Sequence, residues 1–290
     1  MILSLRQIRR RIKSVENTKK ITHAMEMVAA AKLKKLQDLL KQSDHYIAEL
    51  KRILATLVRE KSLAHPLLEK RDEIKSTLVF LIASETGLCG SYNTNVLEQA
   101  NRFLKTEGTA QSVRFVAIGK YAANHLKRSK STIVKAFSIP KPQEIDNLIQ
   151  EVTEMATSAF TNREADRVVF IYTKVATLSS LKPTQEQLFP LTSTEADSQE
   201  KKQVDYIIEP DLNSILDFML PEFIAAEIAQ FVKHSMVAEQ ASRMMAMRQA
   251  TDSAKDMIDS LTLLRNKARQ ANITKELLEI VSGSRALQMK

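Results

Sequence analysis

Glycine and proline are confined to the middle of this chain. Residues 1–65 contain neither, residues 222–282 contain neither, and all seven prolines lie between Pro66 and Pro221 with every glycine but Gly283. These two residues are the strongest interrupters of helix, so the distribution predicts two long helical arms flanking a region rich in turns. Arms of roughly 55–60 residues would be on the order of 80–90 Å long at 1.5 Å per residue, far longer than a helix in a compact domain.

The first arm has the periodicity of a coiled coil. Alternating steps of three and four from Leu5 reach Ile8, Ile12, Val15, Lys19, Thr22, Glu26, Ala29, Leu33, Leu36, Leu40, Ser43, Ile47, Leu50, Leu54 and Leu57, mostly aliphatic. Running into ITHAMEMVAAAKLKK (21–35) this seam lapses, at Lys19 just before it and at Thr22 and Glu26 within it, while Ile21, Ala24, Met25, Met27, Val28 and Ala31 spread apolar surface around the helix. An all-round apolar helix is buried or spans a membrane, and this one is too short and too closely flanked by lysines to span. The second arm is expected to open at Pro221, a favoured first-turn residue, and to stop near Gly283. Ile224, Ile228 and Phe231 begin its seam, and Met244, Met247, Thr251, Ala254, Ile258 and Leu261 continue it in a shifted phase. Neither arm can bury its stripe alone, so the two are expected to pair antiparallel.

Between the arms, STLVFLIAS (76–84), VRFVAIG (113–119), STIVKAF (131–137) and DRVVFIYTKVAT (166–177) read as buried strands, with helices near 92–106, 120–129 and 143–161. Such alternation predicts a parallel sheet covered by helices. Residues 178–210 are expected to form polar loops with one further strand, QVDYIIE. The whole is an α/β fold with long helices: an N-terminal coiled-coil helix (1–65), a Rossmann-like α/β domain (66–220) and a C-terminal coiled-coil helix (221–290).

Charge is placed as unevenly as glycine. Residues 1–75 hold 18 Lys and Arg against 9 Asp and Glu, and the remaining residues hold 25 of each sign, so the first quarter carries the entire net charge of +9. Nucleic acid, an anionic membrane face and acidic protein loops are all partners for such a bias. The single cysteine, Cys89, rules out an intramolecular disulfide and suits a reducing compartment. MILSLRQIRRRIK lacks the apolar core of a secretory signal. An Arg-rich transit peptide competes for those residues, but the helical pattern from Leu5 leaves no room for a removable leader.

Two glycines lie in TGLCGSYN (86–93), between the first strand and a helix, where α/β folds bind phosphates. The third glycine of a dinucleotide fingerprint and the Gly-Lys-Ser/Thr of a P-loop are missing, so a structural turn is the better reading. A small nucleotide-binding enzyme is correspondingly disfavoured, and Cys89 has no histidine near it in sequence to activate it as a nucleophile. His23, His45, His65, His125 and His234 are scattered without metal-ligand spacing. Met244, Met245 and Met247 fit ordinary packing better than an adaptable binding surface, although two adjacent residues cannot share one narrow seam. Arg6, Arg9, Arg10, Arg11 and Lys13 could track phosphates or form a solvated face, and no aromatic interleaves them to stack bases. No acid/base constellation stands out, so the chain reads as a mechanical part or scaffold. The competing class is a coiled-coil protein whose basic arm binds nucleic acid beside a globular head.

Beyond this pattern, IRRRIKSVENTKKITHAMEMVAAAKLKK (8–35), SRMMAMRQAT (242–251) and ARQANITKELLEIVSGSRAL (268–287) resemble the gamma subunits of F-type ATP synthases, with Ile273, Thr274, Glu276, Glu279 and Gly283 matching the C-terminal signature. SETGLCGSYN (84–93) departs from the family's loop at Glu85, Thr86 and Ser91, and Ser284 replaces an alanine. The resemblance spans the chain in order.

It implies a rotor with no cofactor and no catalytic site of its own. The paired terminal helices would be an asymmetric shaft inside a hexamer of alpha and beta subunits, where the nucleotides bind. The α/β domain would be a foot on the c-subunit ring beside the epsilon subunit. Proton-driven rotation of the ring would thereby be coupled to ATP synthesis, and ATPase activity and proton flow regulated. By this resemblance Met25 and Arg243 sit where the catalytic levers press, and Arg269, Gln270, Thr274, Glu276 and Glu279 contact the hexamer. Ile280, Val281, Ala286 and Leu287 sit in an apolar bearing, and the basic arm of Arg6, Arg9, Arg10, Arg11 and Lys13 faces acidic loops of the catalytic subunits rather than nucleic acid. The lone cysteine argues against the dithiol switch of chloroplast members. A peripheral protein on the cytoplasmic face of a bacterial inner membrane, attached only through the complex, is expected.

Overall fold

The computed structural model describes residues 4–58, 65–69, 71, 73–107, 111–140, 144–177, 180–191 and 211–288. In chain order the elements are α1 (Leu5–Val58), a 3-10 turn (Pro66–Leu68), β1 (Ser76–Ile82), α2 (Tyr92–Glu107), β2 (Ser112–Ile118), α3 (Lys120–Arg128), β3 (Thr132–Phe137), α4 (Ile145–Thr161), β4 (Arg167–Thr177), β5 (Ser180–Phe189) and α5 (Leu212–Gln288). Packing divides the chain into one unit of Met1–Ala30 with Arg243–Lys290 and a second of Ala31–Ser242.

In the first unit α1 buries Ile8, Ile12, Thr22 and Ala29, and α5 buries Met247 and Ala254. The two helices meet at a polar layer, where the Thr22 and Thr251 hydroxyl oxygens lie 2.8 Å apart. Each hydroxyl also lies within reach of a carbonyl in its own helix, Lys19 O at 3.1 Å and Met247 O at 2.8 Å. A polar pair in an apolar seam specifies register at some cost in stability.

In the second unit α1 buries Leu33, Leu36, Leu40, Ile47, Leu50 and Leu54. Lys233 Nζ reaches Ser43 Oγ at 2.5 Å, Gln230 Nε2 reaches Asp44 Oδ1 at 2.9 Å, and Lys51 Nζ comes within 2.7 Å of Glu227 Oε1. Partners on α5 descend as those on α1 climb, so the helices run antiparallel here. In both units, every buried side chain described on α1 falls on the three-four stepping from Leu5.

The sheet has the order β3-β2-β1-β4-β5. The β1–β2, β1–β4 and β2–β3 pairs are parallel, and β4–β5 is antiparallel. β5 therefore corrects the expectation of polar loops after residue 178 and makes the sheet mixed. Pro183 lies within β5, and an edge strand tolerates a proline that a central strand would not. The expected strand QVDYIIE (203–209) lies outside the described residues.

Alternation along the strands sends side chains to two covered faces. Val79, Leu81 and Ala83 pack with Val96, Ala100 and Phe103 of α2 and with Ala122 and Leu126 of α3. On the opposite face Phe80 stacks on Phe170 at 4.5 Å between ring centres, and Phe170 and Tyr172 meet Phe231 of α5 at 5.1 and 4.9 Å. Val152, Ala156 and Phe160 of α4 are fully buried.

α5 thus begins as a core helix. Leu216, Leu220, Ile224, Ile228, Phe231, Val232, Val237, Ala238 and Ala241 are all buried, because this stretch serves both the sheet and α1. That double duty explains the phase shift between its first and second seams. The helix also starts earlier than Pro221 suggests. Asp211 caps it, accepting from Ser214 N at 2.9 Å through Oδ1, as an N-cap aspartate does. Pro221 lies inside the helix, where it removes one backbone donor at a cost of about 3 kcal/mol; burial of its neighbours offsets that.

One buried group makes this unit sensitive to acid. His234 is 7% exposed, and its Nδ1 accepts from Val175 N at 3.4 Å. Burial, aided by Lys174, holds the imidazole below its ordinary pKa against the opposing pull of Asp44 and Glu186. The unfolded chain then takes up the proton first, so stability is lost as pH falls below about 6.5 through the folded-state value. Thermal melting between pH 7.5 and 5.5 should show a shallower acid limb for His234→Gln than for the parent chain. Parallel limbs would count against the assignment. His125, also held low by burial and by Arg128, contributes in the same direction and is retained in both.

Candidate partner-contact surface

Arg6, Arg9, Arg10, Arg11 and Lys13 are all exposed on the first turns of α1. The spacing of 6, 9, 10 and 13 places four of them on one helical face, opposite the buried Ile8 and Ile12. Sequence and structure agree on a cationic strip with its aliphatic side turned inward.

One turn of the seam further on, the structure sorts the apolar residues of 21–35. Thr22, Ala29 and Leu33 are buried, whereas Ile21, Met27 and Val28 are 60, 62 and 55% exposed. Met25, selected from the sequence, is only half-buried. The sequence signal for the more exposed three was available: each is apolar yet off the heptad stepping. Ile21 and Val28, seven residues apart, fall on one face of the helix, and Met27 lies off that face.

Arg243 is 8% exposed, so the chain itself covers most of the side chain. Met244 is half-buried, Met245 is 41% exposed and Met247 is buried, which resolves how adjacent methionines share the helix: they do not share a face.

Further along α5, every described side chain from 271 to 284 is exposed. Arg269, Gln270, Thr274, Glu276, Glu279, Ile280 and Val281 are therefore all presented to solvent, while the side chains of Ala286 and Leu287 lie outside the described residues. Leu263, Leu264, Ile273, Leu277 and Leu278 join Ile280 and Val281 as exposed large apolar residues. Ile273, Leu277 and Ile280 recur at the three-four spacing of a helical stripe. Leu277 and Leu278 escaped selection because the sequence does not show where the first arm stops covering the second.

The glycine-containing loop after β1 closes on itself. Asn93 Nδ2 donates to Ser84 Oγ at 2.7 Å and to Cys89 Sγ at 3.3 Å, Asn93 Oδ1 accepts from Ser84 N at 3.1 Å, and Ser84 Oγ donates to Thr86 O at 2.8 Å. Strand order reverses between β1 and β4, and a doubly wound sheet binds its ligand in the crevice at that point. Here α5 occupies it. Ala238 packs on Cys89 and Tyr92, Tyr92 Oη lies 2.6 Å from Ser235 Oγ, and Ser242 Oγ donates to Cys89 O at 2.6 Å. The loop is a seat for α5. Among the described residues no group of three His, Cys, Asp or Glu side chains is placed to hold a metal ion.

The ATP synthase family profile matches residues 4–287. The chain is 37% identical to the ATP synthase gamma chain of Chloroherpeton thalassium, with 98% of each covered. It is 38% identical to that of Cupriavidus necator, with 97% of this chain and 99% of the relative covered. Among solved structures, it is similar to a chain of the Euglena gracilis mitochondrial ATP synthase, solved with its c-ring, at a TM-score of 0.67 and 18% identity, covering 98% and 94%. It is also similar to one from the central stalk and c-ring of the Tetrahymena thermophila enzyme, at 0.57 and 21%, covering 79% and 99%.

Proposed function

The chain belongs to the ATP synthase gamma-chain family, and from that premise we infer how its parts divide the work. It is the rotor subunit of the central stalk and partners with the ATP synthase complex. In our reading, α1 and α5 of the first unit turn inside the alpha/beta hexamer, and the α/β region stands on the c ring beside the epsilon subunit. Proton-driven rotation then drives the hexamer's nucleotide sites, and this chain holds no catalytic site. The complex is membrane-associated; peripheral attachment of this chain through it, at the cytoplasmic face of a bacterial inner membrane, suits a chain in which no described helix is long and apolar enough to cross a bilayer.

One observation carries the proposal: α5 continues through 271–284 with no described side chain covered, while Ile273, Leu277, Leu278, Ile280 and Val281 stay in water. A helix derives most of its stability from packing an apolar face, so this segment requires an enclosing partner with an apolar lining. The off-seam Ile21, Met27 and Val28 supply a second apolar surface for the catalytic levers, and the strip from Arg6 to Lys13 suits acidic loops. Arg243, being covered, would act by holding its helix rather than by touching a lever.

Co-expression with the alpha and beta subunits tests this. The chain should co-purify with them as a complex with Mg-dependent ATPase activity, and alone it should neither bind nor hydrolyse ATP. Failure to co-purify overturns the rotor assignment. Stoichiometric ATP binding by the isolated chain would overturn the reading of the loop after β1.

A further inference from the structure

The overall neutrality of residues 76–290 conceals a segregation of charge. Residues 108–143 contain seven Lys and Arg and not one Asp or Glu. The fold gathers several of these with cations from α2. α2 and α3 lie on the same face of the sheet, and His125 Nε2 meets Asn101 Oδ1 at 3.0 Å between them. In a parallel α/β layer the helices run back against the strands, so both C-terminal turns emerge where the strands begin. Arg102 and Lys105 end α2, Lys127 and Arg128 end α3, and Lys130 lies in the turn to β3; all five are exposed.

These charges are largely uncompensated. Glu98 lies 3.8 Å from Arg102, and Glu107 is turned to Arg167 at 2.7 Å and to Gln111. Among the described residues no carboxylate pairs with Lys105, Lys127, Arg128 or Lys130. Lys135 differs, being held by Glu151 at 2.9 Å. Cations in a last helical turn complement the helix dipole, which accounts for Lys127 and Arg128 but not for Lys130 beyond it.

We propose that this corner, formed by Arg102, Lys105, Lys127, Arg128 and Lys130, is a contact surface for the anionic headgroups of a lipid bilayer. A bilayer presents a two-dimensional field of negative charge, matched by point cations spread over an exposed surface rather than by a pocket. No aromatic side chain stands among the five to stack bases, as single-stranded nucleic acid would need. The proposal rests on the rotor reading, because membership of a membrane-associated complex is what brings the corner near a bilayer.

The test uses the full chain and sedimentation with vesicles, phosphatidylglycerol mixed into phosphatidylcholine against phosphatidylcholine alone. Binding should require the anionic lipid and should fall steeply with salt. A patch variant, Lys127→Gln with Arg128→Gln and Lys130→Asn, the last chosen because residue 130 has a φ of 55° that Asn adopts readily, should lose on the order of tenfold or more in vesicle affinity. An arm variant of equal charge change, Arg9→Gln with Arg10→Gln and Arg11→Gln, should lose much less. No binding to anionic vesicles, or an equal or larger loss in the arm variant, overturns the proposal. Tighter binding to duplex DNA than to the vesicles would reassign the patch to nucleic acid. The patch variant should still co-purify with alpha and beta subunits. Loss of that association in the parent chain would sink the rotor reading instead, so the two failures are distinguishable.

Discussion

Gly119→Ala is expected to destabilise the chain by more than about 3 kcal/mol, beyond the usual range of a single substitution. Gly119 has a φ of 95°, and a β-carbon there would lie 2.1 Å from the carbonyl oxygen of Ala83 and 3.1 Å from that of Ser84. Both obstacles are backbone, so no side chain can turn aside. The position cannot relax cheaply either. Gly119 N donates to Phe137 O at 2.8 Å, Ala83 N donates to Ile118 O at 2.9 Å, and Tyr121 N donates to Ser84 O at 3.1 Å, so the ends of β1, β2 and β3 are tied at this point. Moving Gly119 out of the clash breaks the crossing by which β2 enters α3. Chemical denaturation should show the loss directly, and a change below about 1 kcal/mol would mean the close approach is wrong. Gly283 is the control. A β-carbon there meets nothing within 4 Å, and in helix Gly283→Ala should be neutral or stabilise by up to about 1 kcal/mol.

The contrast between these two glycines shows what the sequence could convey. Gly119 ends a strand run, so a turn was legible, but not the Ala83 carbonyl that leaves no room for a β-carbon there; that depends on β1 and β2 being neighbours. The α1 seam was legible to the residue because a coiled coil repeats every 3.5 residues and leaves its register in the chain. The strand runs of β1, β2 and β4 were legible because strands covered on both faces are apolar throughout. β5 was not, since Pro183 and its charged neighbours resemble a loop unless the strand is known to be at an edge. The start of α5 was obscured for a similar reason: Pro221 reads as a first-turn residue, and only packing shows that the helix crosses it. On the candidate surface, sequence pattern marked the cationic strip and the apolar excess near residue 25. It did not separate exposed from buried members, because exposure at Ile21, Met27 and Val28 depends on where the second helix lies.

That distinction determines how Met25→Lys should behave. Met25 is half-buried and flanked on its own helix face by the exposed Ile21 and Val28, four residues before and three after it. If it were core, a lysine would cost several kcal/mol of folding stability. At a half-exposed site its long stem can carry the ammonium to water, and the isolated chain should lose less than about 1 kcal/mol. In the assembled complex the effect should be far larger. On our reading of the paired helices as a shaft that turns inside the hexamer, no station should be much deeper than the others, and apolar contacts satisfy this because they are weakly directional. A hydrogen bond to a charged group contributes about 1.5–3 kcal/mol, and each 1.36 kcal/mol added to one station lengthens its dwell about tenfold. A shaft held in this way lets hydrolysis proceed while transmitting fewer of its steps. With the complex in sealed vesicles, proton pumping per ATP hydrolysed should fall several-fold for Met25→Lys and stay near the parent value for Met25→Leu. An unchanged ratio in the lysine variant, with folding equally unchanged, would remove Met25 from the bearing surface.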